Sequence, residues 1–329
     1  MSETKARIAA VGAGRMGRGM AQVFAYAGHP VTIVDFKPRP AEALDRLVAE
    51  AKAEIAASFA ALADLGAVDR ADIARAMALI DFAGVEAAPR AIAAADLVYE
   101  NVPETRDAKS DALGRASRMA RPDAVIASGT STMLVTELQQ MVERPERFLN
   151  AHFLNPAFLI PLVEVSVSPT TAEPVVQRLM AWLEGAGKAP VRCAASPGYI
   201  VPRLQALLVS EAARMVHEGV ATAEDIDKAI RAGFGPRYTV MGPIEFIDYG
   251  GLDIAYYGCH YMAKALNSPR HAPPPELDQL MKEGKRGMRE RQGYYDWRNV
   301  DVDAYQRGKL AEFVKLFGFL GRLPKPDRG

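Results

Sequence analysis

The sequence predicts an α/β architecture: a doubly wound, mostly parallel sheet followed by an all-helical C-terminal domain. Three observations carry this. Short apolar runs alternate with helical stretches from Arg7 to Cys193. A glycine-rich turn, Gly12-Ala-Gly14-Arg15-Met16-Gly17, stands between the first such run and the first helix. Beyond Ser196-Pro-Gly198 the alternation stops and only helical periodicity remains. Strands alternating with helices imply parallel pairing through crossover connections. The expected domains are therefore 1–195 and 196–329.

Arg7 to Val11 reads as a buried strand, Met16 to Ala27 as a helix, and Pro30 to Asp35 as a second strand closed by an acid. In that context G-x-G-x-x-G is the dinucleotide fingerprint of a Rossmann-type domain. Gly12 permits the tight turn, Gly14 lets the backbone approach a pyrophosphate, and Gly17 allows helix to pack on strand. Arg15 and Met16 open the helix whose N-terminus favours phosphate. Asp35 suits the adenosine ribose and repels a 2′-phosphate, which indicates NAD, whereas Lys37 and Arg39 nearby would favour NADP. FAD uses the same fingerprint, but no flavin signature accompanies it.

Pro40 to Leu65 reads as one long helix with Leu44, Leu47, Ala51, Ile55 and Phe59 on a stripe, and Arg70 to Met77 as another. Strands follow at Leu79–Phe82, from Ala95, and at Asp123–Ser128. Glu104 and Lys109 lie just past the Ala95 strand, at the edge that faces the ligand crevice in such a sheet. They suit the nicotinamide ribose, or form an ordinary ion pair at a helix start. Gly129-Thr130-Ser131-Thr132 ends the Asp123 strand, where small hydroxyls face a ligand or cap the helix of Val135 to Val142.

Asn150 to Val165 contains His152 at the end of one apolar run, Asn155-Pro156 between runs, and Glu164 in the second. Histidine exchanges a proton near neutral pH. A carboxylate beside it fixes its tautomer and stabilises the imidazolium. Two strands folded back at Asn155-Pro156 would bring the two together. A packed core histidine would show the same local pattern.

A helix from Ala172 to Gly185 and a strand from Ala189 to Cys193 complete the first domain. The second holds helices at Ile200–Gly219, Ala223–Ala232, Ile244–Gly250 and Asp303–Phe319, a loop at Gly233–Pro243, and an aromatic turn at Gln292–Trp297.

The chain has 329 residues, enough for two domains. Its 40 basic and 40 acidic residues cancel, leaving no net field for nucleic acid or anionic membrane. No apolar segment is long enough to span a bilayer. The N-terminal residues lack a signal pattern, and two distant cysteines make a disulfide framework unexpected. No residues are assigned to a metal. A cytoplasmic protein with a small-molecule substrate is expected.

Taken in order, Gly12-Gly14-Gly17, Glu100-x-x-x-Glu104, Thr130-Ser131, His152-x-x-Asn155-Pro156, Glu164, Pro197-Gly198, and Met241-Gly242-Pro243 with Asp248 resemble the L-3-hydroxyacyl-CoA dehydrogenase family over nearly the whole chain. The resemblance implies a homodimer formed through the helical domain and NAD as cofactor. It implies His152 as acid/base, Glu164 as its partner, and Ser131 and Asn155 in contact with the reacting oxygen or the histidine. Basic residues of the long helix, such as Lys52, would meet CoA.

Two departures stand out. Pro202 occupies the place of a family asparagine that donates to the substrate; as a proline it fits a helix's first turn, so that helix should start late. Arg237-Tyr238-Thr-Val is inserted before Met-Gly-Pro, as in the branch that oxidises free hydroxy acids such as L-gulonate or carnitine. There Arg237 would hold a free carboxylate. Three functions remain open from sequence: a short-chain 3-hydroxyacyl-CoA dehydrogenase, a free β-hydroxy-acid dehydrogenase, and a catalytically weakened NAD-binding structural protein.

Overall fold

The computed structural model describes residues 5–324 and 326. The chain divides into two compact units, Met1–Leu208 and Val209–Gly329. The first unit begins β1 (Ile8–Val11), α1 (Arg15–Tyr26), β2 (Val31–Val34), α2 (Ala41–Asp64), α3 (Arg70–Ala78), β3 (Ile80–Ala83), α4 (Ala88–Ala93) and β4 (Leu97–Glu100). It continues with α5 (Arg106–Met119), β5 (Val125–Ser128), α6 (Val135–Leu138), β6 (Phe148–Phe153), β7 (Leu162–Val167), α7 (Glu173–Gly185) and β8 (Ala189–Ala194). Helix α8 (Val201–His217) contains the dividing point.

The eight strands among the described residues form one sheet in the order β3-β2-β1-β4-β5-β6-β7-β8. Every pair is parallel except β6 with β7. Parallel neighbours require crossovers, and helices on both faces bury the strands on both sides. Along β1 the side chains alternate between two cores. Ile8 and Ala10 pack with Phe24, Ile33, Phe59 and Leu97. Ala9 and Val11 pack with Val34, Val98, Leu113 and Ile126 on the other face. The strand order reverses between β1 and β4, which places a crevice at their carboxyl ends.

The predicted strands and long helices form, with ends shifted by one or two residues. The helix expected from Val135 to Val142 is shorter: α6 stops at Leu138 and a single 3-10 turn covers Gln139–Met141. Helix α4 has no counterpart in the sequence reading. It is only six residues long, too short to display a stripe, and starts with a proline in its first turn.

The second unit holds the rest of α8, α9 (Ala223–Ala229), α10 (Gly235–Val240), α11 (Pro243–Gly250), α12 (Leu252–Ala265), α13 (Pro275–Lys282) and α14 (Val302–Phe319). The loop expected over Gly233–Pro243 is instead mostly helical: a π-helical turn spans Ile230–Phe234 and runs into α10. The glycines suggested a break. Pro236 lies in the first turn of α10, where its missing N–H costs nothing. Phe234 and Tyr238, four apart, stack edge to face with centroids 4.5 Å apart, and Lys309 Nζ donates to Val240 O at the helix end.

A buried carboxylate organises the small core of this unit. Asp248 is 1% exposed and accepts from Tyr294 N at 2.9 Å, Tyr295 N at 2.9 Å and Trp297 Nε1 at 2.7 Å. The expected Gln292–Trp297 turn thus closes on an acid at the end of α11. A Cβ on Gly293 would lie 2.4 Å from Asp248 Oδ1, so only glycine admits the carboxylate. Trp297 then packs with Met288 and Val302. Replacing Asp248 with alanine strands three donors. Urea unfolding of Asp248→Ala should show a loss of about 3 kcal/mol, and Asp248→Asn, which keeps an acceptor, a loss of about 1 kcal/mol.

Candidate active site

The crevice beside β1 and β4 is a cleft of about 550 Å³, lined among others by Gly12, Gly14, Arg15, Met16, Asp35 and Asn101. Gly12 has φ +111°, and a Cβ there would sit 2.7 Å from Asn101 O. A Cβ on Gly17 would fall 2.0 Å from Gly12 O. Gly14 is different: nothing lies within 4 Å of its would-be Cβ, so the missing side chain leaves open space. It caps α1 with extended backbone and no side-chain bond, which leaves the first N–H groups of α1 free of side-chain acceptors. Asp35, just past β2, accepts from Lys37 N at 3.2 Å on Oδ1 and pairs with Arg39 through Oδ2. The Asn101 amide nitrogen, at the other wall, is buried without a partner among the described residues. Open helix N–H groups, room at Gly14, a carboxylate at the second strand and an unspent donor fit a dinucleotide.

Lys109 and Glu104 do meet, as part of a larger cluster. Lys109 Nζ lies 3.0 Å from Glu100 Oε1, 3.1 Å from Glu100 Oε2 and 3.2 Å from Glu104 Oε2. Glu100 is fully buried and also accepts from Ser128 Oγ and Val102 N, each at 2.6 Å. Burial raises its pKa above the ordinary value, and Lys109 and Ser128 offset that only in part. Glu104 gathers the turn after β5: Ser131 N and Thr132 N at 3.1 Å, Thr132 Oγ1 at 2.9 Å, and the Thr130 hydroxyl. Burial pushes Glu104 upward, but the Thr130 hydroxyl and the Lys109 ammonium outweigh it and bring its pKa down to about 2. Ser131 is exposed at the carboxyl end of β5 with its N–H held in this way.

His152 and Glu164 sit directly opposite each other on antiparallel β6 and β7. Opposed residues point to one face, which puts the side chains in reach. His152 Nδ1 lies 2.9 Å from Glu164 Oε2. With the carboxylate ionised, Nδ1 carries the proton and Nε2 is left as the acceptor; that tautomer follows from the partner. Glu164 has no exposed surface, and its other oxygen accepts from Ile200 N at 2.9 Å and Val201 N at 2.7 Å. These N–H groups open α8, where a negative charge is favoured. Pro202 occupies the first turn as expected, one residue past the last donor to Glu164.

Tyr199 is the residue the sequence reading passed over. Its ring stacks on His152, with centroids 5.1 Å apart and planes 9° from parallel. Its hydroxyl donates to Thr130 O at 2.7 Å and accepts from Asn150 Nδ2 at 3.1 Å. It holds φ +47°, in the left-handed region, a conformation disfavoured for bulky residues. Burial raises its phenol's pKa. The hint was present in Pro-Gly-aromatic, but the partners lie 49 and 69 residues away.

Asn155 is exposed on the β6–β7 loop. It lines a smaller cavity of about 230 Å³ together with Arg15, Arg18, Gln22 and Ser58. Lys188, also unforeseen, fixes this loop from below: Nζ donates to Ala157 O at 2.6 Å, Phe158 O at 3.0 Å and Ile160 O at 3.0 Å. Burial lowers its pKa. Arg237 belongs to the second unit, on α10, with its guanidinium 4.5 Å over the Phe246 ring.

A glycine turn at the switch point of a doubly wound sheet, with a His–carboxylate pair on the same sheet, fits a dinucleotide-dependent oxidoreductase. The family model described as 3-hydroxyacyl-CoA dehydrogenase, NAD binding domain, matches residues 7–196, and that of the C-terminal domain matches 198–297. The chain belongs to the 3-hydroxyacyl-CoA dehydrogenase family. It is 32% identical over 297 residues to the mitochondrial hydroxyacyl-coenzyme A dehydrogenase of Homo sapiens, covering 88% of this chain and 91% of the relative. It is 33% identical over 299 residues to a 3-hydroxybutyryl-CoA dehydrogenase of Mycobacterium tuberculosis, with 90% and 100% covered. The crystal structure of a 3-hydroxyacyl-CoA dehydrogenase from Archaeoglobus fulgidus superposes with a TM-score of 0.75 at 29% identity, covering 97% of this chain and all of that one. Among the described residues no helix is long and apolar enough to cross a membrane.

Two measurements check the cluster. Glu104 has a folded pKa of about 2 against an ordinary 4.5. Its ionised form therefore adds stability above the ordinary value, and that contribution drains away as pH falls toward 2. Unfolding midpoints of the native protein and Glu104→Gln should differ most near neutrality and converge across this window. Tyr199→Phe keeps the stack and removes the hydroxyl. It should lower the unfolding free energy by about 1.5 kcal/mol, because the Thr130 carbonyl loses its donor.

Proposed function

We propose that the protein is a short-chain L-3-hydroxyacyl-CoA dehydrogenase in which His152 is the acid/base. The reading rests on one observation above the others: the 2.9 Å pair of His152 with a Glu164 whose second oxygen is held by two backbone N–H groups. The glycine turn and Asp35 would hold NAD, which would supply the hydride acceptor for C3 of the substrate. His152 Nε2 takes the hydroxyl proton as the carbonyl forms, and returns it in the reverse direction. Glu164 offsets the charge on the imidazolium, and Ile200 N and Val201 N hold its carboxylate in place. Ser131 and Asn155 contact the reacting oxygen or the histidine. Glu104 faces the nicotinamide ribose, held from behind by the buried Lys109 ammonium, and Asp35 faces the adenosine ribose. Pro202 offers no donor, so the substrate carbonyl is held by other groups.

The same reading divides the chain functionally into an NAD-binding domain, 1–195, and a substrate and dimerisation domain, 196–329. The second unit exposes Val209, Val216, Ile254, Tyr257, Tyr261 and Leu310, an apolar population suited to a homodimer face. The alternative substrate, a free β-hydroxy acid, would require the Arg237 guanidinium to serve a carboxylate.

Following NADH absorbance separates these. Acetoacetyl-CoA should be reduced rapidly, while L-gulonate, L-carnitine and free 3-hydroxybutyrate should be oxidised poorly or not at all. The reverse order would overturn the thioester assignment. His152→Gln should lower kcat by about 10²–10⁴ with NADH affinity retained. Unchanged turnover would remove His152 from the chemistry.

A further inference from the structure

The acid that marks the adenosine ribose in this cleft is not a bare carboxylate. Lys37 N–H occupies one oxygen of Asp35 at 3.2 Å, and the Arg39 side chain pairs with the other through Nε. Only Nε of Arg39 is engaged among the described residues, so its two terminal nitrogens are uncommitted. Arg39 and Lys37 line the Asp35 cleft and also an adjoining cavity of about 370 Å³ that contains Glu86. A third cation, Arg115, lies 4.1 Å over the Phe36 ring, donates to Phe36 O and pairs with Asp111.

A lone aspartate excludes a 2′-phosphate because two anions would share one dry site. The acids Asp35, Asp111 and Glu86 that line the cleft and the adjoining cavity are met there by the cations Arg15, Lys37 and Arg39, with Arg115 paired to Asp111, so negative charge is not in excess. The two free guanidinium nitrogens of Arg39 then form a fork suited to phosphate oxygens. We propose that Arg39 is a cofactor-selectivity residue: it offsets Asp35 and supplies a 2′-phosphate site, so the cleft takes NADP alongside NAD. This rests on the assignment of the cleft to a dinucleotide. A ribose without phosphate uses Asp35; a ribose with one uses Arg39 and Lys37.

The test measures binding to the full-length protein by calorimetry, with 5′-AMP and 2′,5′-ADP as probes and no turnover involved. The native protein should bind 2′,5′-ADP within about tenfold of 5′-AMP. Arg39→Gln should weaken 2′,5′-ADP about tenfold or more and leave 5′-AMP within about twofold. Asp35→Asn should do the reverse, tightening 2′,5′-ADP and weakening 5′-AMP. Binding of 2′,5′-ADP should also fall more steeply with added salt. The inference is overturned if the native protein binds 5′-AMP but not 2′,5′-ADP, or if Arg39→Gln weakens both probes equally. Failure of both probes to bind would instead overturn the cleft assignment, and this inference with it.

Discussion

The site hangs on one carboxylate. Glu164 is sealed from solvent, yet both its oxygens are occupied: one by the imidazole of His152, the other by two N–H groups that open α8. A buried charge is tolerable only when it is paired and hydrogen-bonded, so these three elements hold one another in place. Strand β6 supplies the imidazole, β7 the carboxylate, and α8 the N–H groups beneath it. The single antiparallel pairing in an otherwise parallel sheet is what makes this possible. Facing residues on neighbouring strands are brought together by a short return loop, and a slip of one residue in β7 would turn Glu164 to the opposite face from His152.

A second charged knot lies at the carboxyl end of β4. Glu100, Lys109 and Glu104 form a chain of opposite charges, and Glu104 passes the order outward by collecting the backbone of the turn at Ser131 and Thr132. Tyr199 joins the two knots: its ring lies on His152 and its hydroxyl reaches Thr130. The two knots, one gathered by Glu104 and one holding His152, are thus tied by a single side chain. Tyr199 also immediately precedes the backbone donors to Glu164, so its strained φ and their position are set together.

The sequence disclosed those features whose physics is local. Gly12, Gly14 and Gly17 were readable because a turn, a strand and a helix N-terminus impose their requirements within six residues. The pairing of His152 with Glu164 was readable because a hairpin brings near neighbours together. Pro202 correctly marked a first helical turn. What stayed hidden depended on distance or on competing signals. Tyr199 reaches partners on β6 and in the turn after β5, and Lys188 binds carbonyls 28 to 31 residues earlier. The region from Ile230 to Val240 looked like a loop because glycine weakens helix propensity, while packing of Phe234 on Tyr238 and the clasp by Lys309 decide otherwise.

Lys188 has a chemical consequence of its own. An ammonium group has three protons to give, and here three main-chain carbonyls take them. Lys109, deeper still, is committed to two carboxylates. Amines attack activated acyl carbons only as free bases with an exposed lone pair. To do so either lysine would have to abandon its acceptors and lose a proton inside the fold. The amines built into the framework of the site are therefore inert towards an acyl thioester, and the scaffold is shielded from becoming its own acceptor.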